Sequence, residues 1–320
     1  MEFFKQHERA LVVLALALLI IIAATYEAVA APPANFPSGR EFVVAEGAPL
    51  STIASELRDA RIIKNASVLL VIMRVSGVSR RVQAGTYLFK SPENAFGVAR
   101  RIAAGDYGIS LVRLTFPEGI TVREIALSTA ESISGFSREA LIAAGKKHEG
   151  YLFPDTYFFP PSTDAETIIT AMRKNFDAKI DPLMSEIQGS GHSLSDIVIM
   201  ASLLEKEVRT TENRRIVAGI LWDRLVLGMP LQVDAVFGYI FDRDTFAPSF
   251  EDLKVDSPYN TYRNIGLPPG PINNPGLDAI GAALHPTKTK YLYYLTDKDG
   301  NIHYAVTYAE HQLNQKKYLR

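Results

Sequence analysis

The stretch Ser193–Val208, SLSDIVIMASLLEKEV, decides how the larger part of this chain is read. Ser193 followed three residues later by Asp196 is a capping box, so a helix starts at Leu194. On a helical wheel Ile197, Ala201, Leu204 and Val208 form one narrow apolar stripe. Glu205 falls about 60° from the centre of that stripe, inside the apolar arc; Lys206 falls on the opposite side and Glu207 on the flank. A carboxylate at the margin of a buried face loses hydration, which raises its pKa. That is the condition for a general acid that holds its proton near neutral pH. The alternative is a solvated Glu-Lys-Glu face in which Glu205 pairs with Arg209 one turn on.

Working outward, a second long helix is expected over 212–227 and another over 164–178. Upstream lie a strand (110–116), the turn Pro117-Glu118-Gly119, and helices at 121–131 and, capped by Ser137, at 137–144. Residues 149–161 are aromatic and turn-rich. Downstream come a Gly/Pro-rich stretch (257–276), a short helix ending near Leu284, and a hairpin around Lys298-Asp299-Gly300. Thr307 and Glu310 form a capping box for a final helix. Residues 109–320 thus read as one larger mixed α+β unit. A smaller unit, 41–108, reads as strand 41–44, helix 50–57, a helix capped by Asn65, strand 84–89, and a helix with Ser91 as cap, Pro92 in its first turn and Gly105 after its end.

The N-terminus is a topological signal. After a tail (1–9) carrying Lys5 and Arg9, residues 10–30 are almost wholly apolar or small and reach roughly the thickness of a bilayer core. Basic residues ahead of such a span place the tail in the cytoplasm and the rest outside. Ala28-Val29-Ala30 also has the form of a signal-peptide cleavage site, so a removed leader is the alternative. Residues 31–40, with three prolines and a glycine, read as a linker.

Composition excludes several classes. The 320 residues carry 34 basic and 35 acidic side chains, net −1, so no field favours nucleic acid. The absence of cysteine removes thiolate zinc sites, thiol nucleophiles and disulfides. There is no G-x-S-x-G and no Walker loop, and His148-Glu149 lacks the second histidine of a zinc protease. No metal set and no cofactor is expected.

Further segments combine aromatic, amide and acidic groups: Glu149–Tyr157 (EGYLFPDTY), Leu231–Asp234 (LQVD), Tyr259–Tyr262 (YNTY), Gly266–Ile272 (GLPPGPI) and Ala283–Pro286 (ALHP). Aromatic faces beside carboxylates suit a pyranose, and equally suit a core corner. Together with Ala201–Val208 (ASLLEKEV), these ordered segments resemble the MltG-like or YceG-like endolytic murein transglycosylases over residues 41–315 and the N-terminal anchor.

The resemblance implies an α+β protein with a single transmembrane helix, a small LysM-like subdomain and a YceG-like catalytic domain, facing outward from the bacterial inner membrane. It implies cleavage of the MurNAc–GlcNAc β-1,4 bond of peptidoglycan with 1,6-anhydroMurNAc ends, terminating nascent strands near peptidoglycan synthases. Glu205 is then the acid/base and Glu207 a supporting group. Tyr151, Asp155, Gln232, Asp234, Asn260 and Tyr262 are the candidates for holding the sugar. Competing readings are a hydrolase of the same bond, pairing Glu205 with Asp234 or Asp155, and a non-catalytic wall-binding scaffold.

Overall fold

Among the residues described by the computed structural model (2–79, 81–243 and 248–319), α-helices alternate with three antiparallel ribbons of two strands each, a mixed α+β fold. Met1 and the side chains of the first ten residues, Lys5 and Arg9 of the expected tail among them, lie outside the described ones. The chain forms two compact units, 1–111 and 112–320.

The first unit begins with α1 (Glu2–Val29), whose Leu11–Val29 portion is long and apolar enough to cross a membrane once. Its apolar side chains, Leu14, Ile20 and Ile21 among them, are exposed, as lipid-facing groups are. The C-terminal end is docked: Asn94 donates to the Tyr26 hydroxyl (3.0 Å), Lys64 to the Glu27 carbonyl (2.5 Å) and the Ala95 N–H to the Ala30 carbonyl (2.9 Å). The proline-rich 31–40 stretch also packs down, with Phe36 edge-on to Phe89 at 6.0 Å and the Gly39 N–H on the Phe89 carbonyl at 2.8 Å.

Strand β1 (Arg40–Val44), helices α2 (Leu50–Asp59) and α3 (Ala66–Val75), strand β2 (Gly85–Phe89) and helix α4 (Ala95–Ala104) follow. β1 and β2 pair with Arg40 opposite Phe89 and Val44 opposite Gly85. Leu57, Leu69, Met73, Tyr87 and Ile102 fill the core between ribbon and helices. Asn65 caps α3 as its sequence predicts, accepting from the Ser67 N–H at 2.9 Å. The expected start of α4 at Ser91-Pro92 is corrected: Asn94 is the cap, accepting from the Gly97 N–H at 2.8 Å, and the helix begins three residues later. Gly105 ends it in the left-handed region at φ 69°.

The second unit holds β3 (Val112–Thr115), α5 (Val122–Ser132), α6 (Arg138–Gly145), β4 (Thr156–Phe159), α7 (Ala165–Ile180), α8 (Met184–Gly189), α9 (Leu194–Glu207), α10 (Thr211–Val226), α11 (Val236–Phe241), α12 (Leu277–Leu284), the hairpin strands β5 (Tyr293–Thr296) and β6 (Ile302–Ala305), and α13 (Tyr308–Tyr318). Three elements depart from the sequence reading. The aromatic stretch contains β4, which pairs with β3 (Leu114 opposite Tyr157), and the short helices α8 and α11 are additional. One core lies between β3, β4, α5, α6 and α7. The larger one surrounds α9, which packs against α10 and α12. The narrow stripe expected for α9 is corrected as well: every residue from Ile197 to Leu204 is buried, because neighbours cover the helix all round.

Buried polar groups tie these cores together. The Asn274 side chain accepts from the Leu152 N–H (2.9 Å) and donates to the Ile120 carbonyl (2.9 Å) and to Glu149 (3.0 Å). Glu149 in turn accepts from the Val122 N–H at the start of α5 (3.1 Å). Burial pushes the Glu149 carboxyl up to about 7, aided by the nearby Glu124 charge and opposed by the Val122 and Asn274 bonds and by Arg123.

Two expectations follow from this knot. Asn274→Ala orphans the buried Leu152 N–H and strips Glu149 of a donor; urea denaturation is expected to register a loss of about 2–4 kcal/mol. Glu149 binds its proton more tightly in the folded chain than at its ordinary pKa of 4.5. Its stabilising contribution is therefore complete below 4.5 and disappears as pH rises through about 7. Over that interval the wild type should lose about 3 kcal/mol more stability than Glu149→Gln. Parallel pH profiles of the two proteins would refute this.

Candidate functional site

α9 ends where Val208 turns extended, so the chain leaves the helix three residues past Glu205. The Glu205 side chain, 5% exposed, lies in this last turn and meets the start of α10 and the start of α12. Arg214 of α10 donates through Nη2 to Glu205 Oε1 at 2.6 Å, through Nη1 to Asp278 Oδ2 at 2.5 Å and through Nε to the Val208 carbonyl at 2.8 Å. The Gly276 N–H, just ahead of α12, donates to Glu205 Oε2 at 2.9 Å. Thr211 holds the other oxygen of Asp278 at 2.7 Å. The partner of Glu205 is thus Arg214. The alternative pairing with Arg209 is corrected, because Arg209 lies beyond the helix end and is exposed.

The turn Pro117-Glu118-Gly119 closes over this carboxylate. φ at Gly119 is 77°, a conformation that favours glycine, and a Cβ there would stand 3.2 Å from Glu205 Cγ and 3.4 Å from Lys206 Cε, a tight fit. A Cβ on Gly276 would collide with the Glu118 carboxyl.

Burial raises the Glu205 pKa. The Gly276 N–H and the Arg214 charge pull it back, while the carboxylates of Glu118 and Asp278 push it up, and the net direction is upward. The group is therefore disposed to hold a proton, yet has a guanidinium and a backbone donor in place to stabilise the carboxylate once the proton has gone. That combination serves an acid that must also act as a base.

A second cluster adjoins the first. Glu207 accepts from the Tyr294 hydroxyl (3.1 Å) and from the Ala235 N–H (3.4 Å). Burial, and then the neighbouring Asp234 carboxylate, push Glu207 up to about 7. Asp234 accepts from the Tyr262 hydroxyl at 2.5 Å and is itself raised by burial, against that bond. Backbone contacts clip the two segments together: the Gln232 N–H reaches the Thr261 carbonyl (3.1 Å), and the Val233 N–H reaches Thr261 Oγ1 (3.0 Å). Gln232 is exposed and sits in the left-handed region at φ 53°.

Glu207, Asp234 and Tyr262 therefore gather at the end of α9; Glu205, two residues earlier in the same turn, has its own partners, and among the described residues no hydrogen bond or ion pair joins it to those three. Asn260 stands beneath them as a loop brace: it is fully buried, donates to the Leu253 (3.0 Å) and Val255 (2.9 Å) carbonyls and accepts from the Tyr262 N–H (3.0 Å). Tyr151 and Asp155 lie elsewhere. Tyr151 packs edge-on to Phe176 at 5.2 Å, with the Arg173 guanidinium 5.0 Å above its ring. Asp155 accepts from the Thr156 N–H (2.8 Å) and from Asn175 (3.1 Å). Among the described residues no hydrogen bond or ion pair joins either one to the Glu205 cluster.

Arg214, Asp278, Gly276 and Glu118 escape the sequence reading. Arg214 carried one signal: it lies three, four and seven residues before Val217, Ala218 and Leu221, a cation on an apolar face. Beside the cluster a cavity of about 630 Å³ opens, lined by Lys206 from α9, the first turn of α5, one face of α6, and Tyr239 and Tyr259.

Residues 42–317 match the YceG-like family. The chain is 32% identical over 304 residues to the endolytic murein transglycosylase of Bacillus subtilis strain 168, covering 86% of this chain and 84% of that one. It is 28% identical over 319 residues to the endolytic murein transglycosylase of Streptococcus pneumoniae serotype 2 strain D39, covering 86% of this chain and 58% of the relative. A crystal structure of a yceG-like protein from Listeria monocytogenes superposes with a TM-score of 0.59 at 30% identity, over 86% of this chain and 99% of that one. With its fold, its ordered segments and 276 matched residues in agreement, this chain belongs to the YceG-like family.

Proposed function

We propose that this protein is a peptidoglycan lytic transglycosylase with Glu205 as its acid/base. The observation that carries the reading is the setting of Glu205: buried, raised in pKa, and held between Arg214 and the Gly276 N–H. The relatives named endolytic murein transglycosylase support the same substrate and reaction.

In the first step protonated Glu205 gives its proton to the glycosidic oxygen between MurNAc and GlcNAc as the C1–O bond breaks. Arg214 and the Gly276 N–H stabilise the resulting carboxylate. That carboxylate then takes the proton of the muramoyl C6 hydroxyl as its oxygen bonds to C1, closing a 1,6-anhydro ring and restoring protonated Glu205. Ordinary glycosidases need two carboxylates. Here the nucleophile belongs to the substrate and is already held close, so one carboxylate suffices. Glu207, Asp234 and Tyr262 are proposed as the polar wall that orients the sugar, with Gln232 at its exposed edge and Asn260 fixing the loop. Tyr151 and Asp155, on the β4 side, are proposed to meet the strand further along.

The small unit is proposed as a LysM-like glycan-holding module. Its order of strand, helix, helix, strand, with the two strands paired, supports this. The apolar α1 supports a single-pass anchor in the inner membrane. Lys5 and Arg9 favour a cytoplasmic N-terminus, leaving the enzyme outside, within reach of the synthases whose nascent strands it would terminate.

Detergent-solubilised full-length protein, incubated with purified peptidoglycan, is expected to release fragments ending in 1,6-anhydroMurNAc, detected by mass spectrometry. Glu205→Gln is expected to lower the rate by a factor of roughly 10³ or more. Reducing ends in their place would mean a hydrolase, and an unchanged rate in the variant would remove Glu205 from the chemistry.

A further inference from the structure

The cavity beside the catalytic cluster is cationic, although the glycan backbone it would neighbour is largely neutral. Five basic side chains line it against three acidic ones. Two of the basic groups are already matched: Arg123 pairs with Asp242, and Arg243 with Asp252 at 3.0 Å. Of the acids, Glu124 is turned onto its own helix start, accepting from the Thr121 N–H at 2.7 Å, and Glu149 is spent on Val122 and Asn274. The side chains of Arg138, Lys146 and Lys206 have no hydrogen bond or ion pair among the described residues. Arg138 and Lys146 are exposed, and the three face a common space.

The arrangement is regular. Arg138 and Ile142 of α6 and Lys146, the residue that caps its end in a helical conformation, are spaced by four, so they share one face, and all three line the cavity. Lys206 approaches from α9, next in sequence to Glu205 and resting over Gly119. A ligand here meets cations from two sides and the rings of Tyr239 and Tyr259, 5.1 Å apart, along a wall. A volume of about 630 Å³ admits a short peptide. Unpaired guanidinium and ammonium groups select carboxylates.

We propose that this cavity is a subsite for the peptide stem carried by the muramoyl residue, with Arg138 and Lys146 binding stem carboxylates while Lys206 holds the end nearest the sugar. The proposal rests on the transglycosylase reading and deepens it: the site selects strands that still bear their peptides.

The test is binding, kept separate from turnover. Full-length wild type and the double variant Arg138→Ala/Lys146→Ala are titrated calorimetrically with a soluble muramoyl tripeptide and with the peptide-free N-acetylmuramic acid amide, whose lactyl carboxyl is capped as it is in the tripeptide. Thermal unfolding checks that both proteins are folded. The exposure of the two side chains and their lack of partners predict an unchanged transition. The tripeptide is expected to bind the double variant at least about tenfold more weakly, with the loss reproduced in wild type by raising the salt concentration. Binding of the peptide-free sugar should be the same for both proteins. Equal tripeptide affinity in the two proteins, or an equal loss for both ligands, would overturn the proposal. Selective binding of vesicles of anionic lipid, lost in the double variant while the tripeptide is ignored, would assign the cavity to a membrane surface instead and overturn it too. Formation of 1,6-anhydro ends by the wild type is scored apart, so failure of the catalytic reading and failure of the stem subsite are distinguishable.

Discussion

One guanidinium organises the end of the central helix. Arg214 reaches the carboxylate of Glu205 on α9, the carbonyl of Val208 where α9 stops, and Asp278 in the first turn of α12, while belonging to α10 itself. Burying a charge in this way is costly unless every donor finds a partner. Here Nε and both terminal nitrogens each have one. The convergence of three helices is therefore conditional on both acids being present, and both acids are conditional on the arginine. Fold and chemistry share the same atoms, which is why the carboxylate that would do the work cannot be moved without loosening the packing around it.

The second cluster shows a different use of acidity. Burial and the nearby Asp234 carboxylate raise Glu207, burial raises Asp234, and the hydroxyls of Tyr294 and Tyr262 each donate to one of the pair. Such a pair holds less than its full negative charge near neutrality. The pair then contributes hydrogen-bonding groups without a strong local field. That leaves the net electrostatics of the neighbourhood to the lysine and arginine side chains of the adjoining cavity.

Local chemistry made much of this legible in advance. The capping boxes at Ser193/Asp196 and Thr307/Glu310, the Asn65 cap and the left-handed Gly105 are set by residues a few positions apart, and the helices begin or end where those residues say. The burial of Glu205 was visible from the wheel, and so was its separation from Lys206. What was not visible depends on partners far along the chain. Asp278 lies 64 residues from Arg214, and Asn274 is 122 residues from Leu152. β4 exists because β3 offers it a register; by itself it is four residues hemmed by Pro154, Asp155 and Pro160. Ser91 was read as the cap of α4 because Pro92 follows it; the residue that caps the helix is Asn94, whose side chain also reaches the Tyr26 hydroxyl at the end of α1.

The docked end of α1 has a mechanical meaning. Tyr26, Glu27 and Ala30 are each held by groups of α3, α4 or the turns beside them, and the following prolines lie against the same unit. The small unit is therefore fastened to the end of α1 as a blade is to a handle. Its excursions are those of the helix axis, and a span in a bilayer leans by about 20° on average. With α1 seated in a bilayer, the unit would be carried at a set height above the lipid, because its edge is bonded to the end of that helix instead of trailing from it.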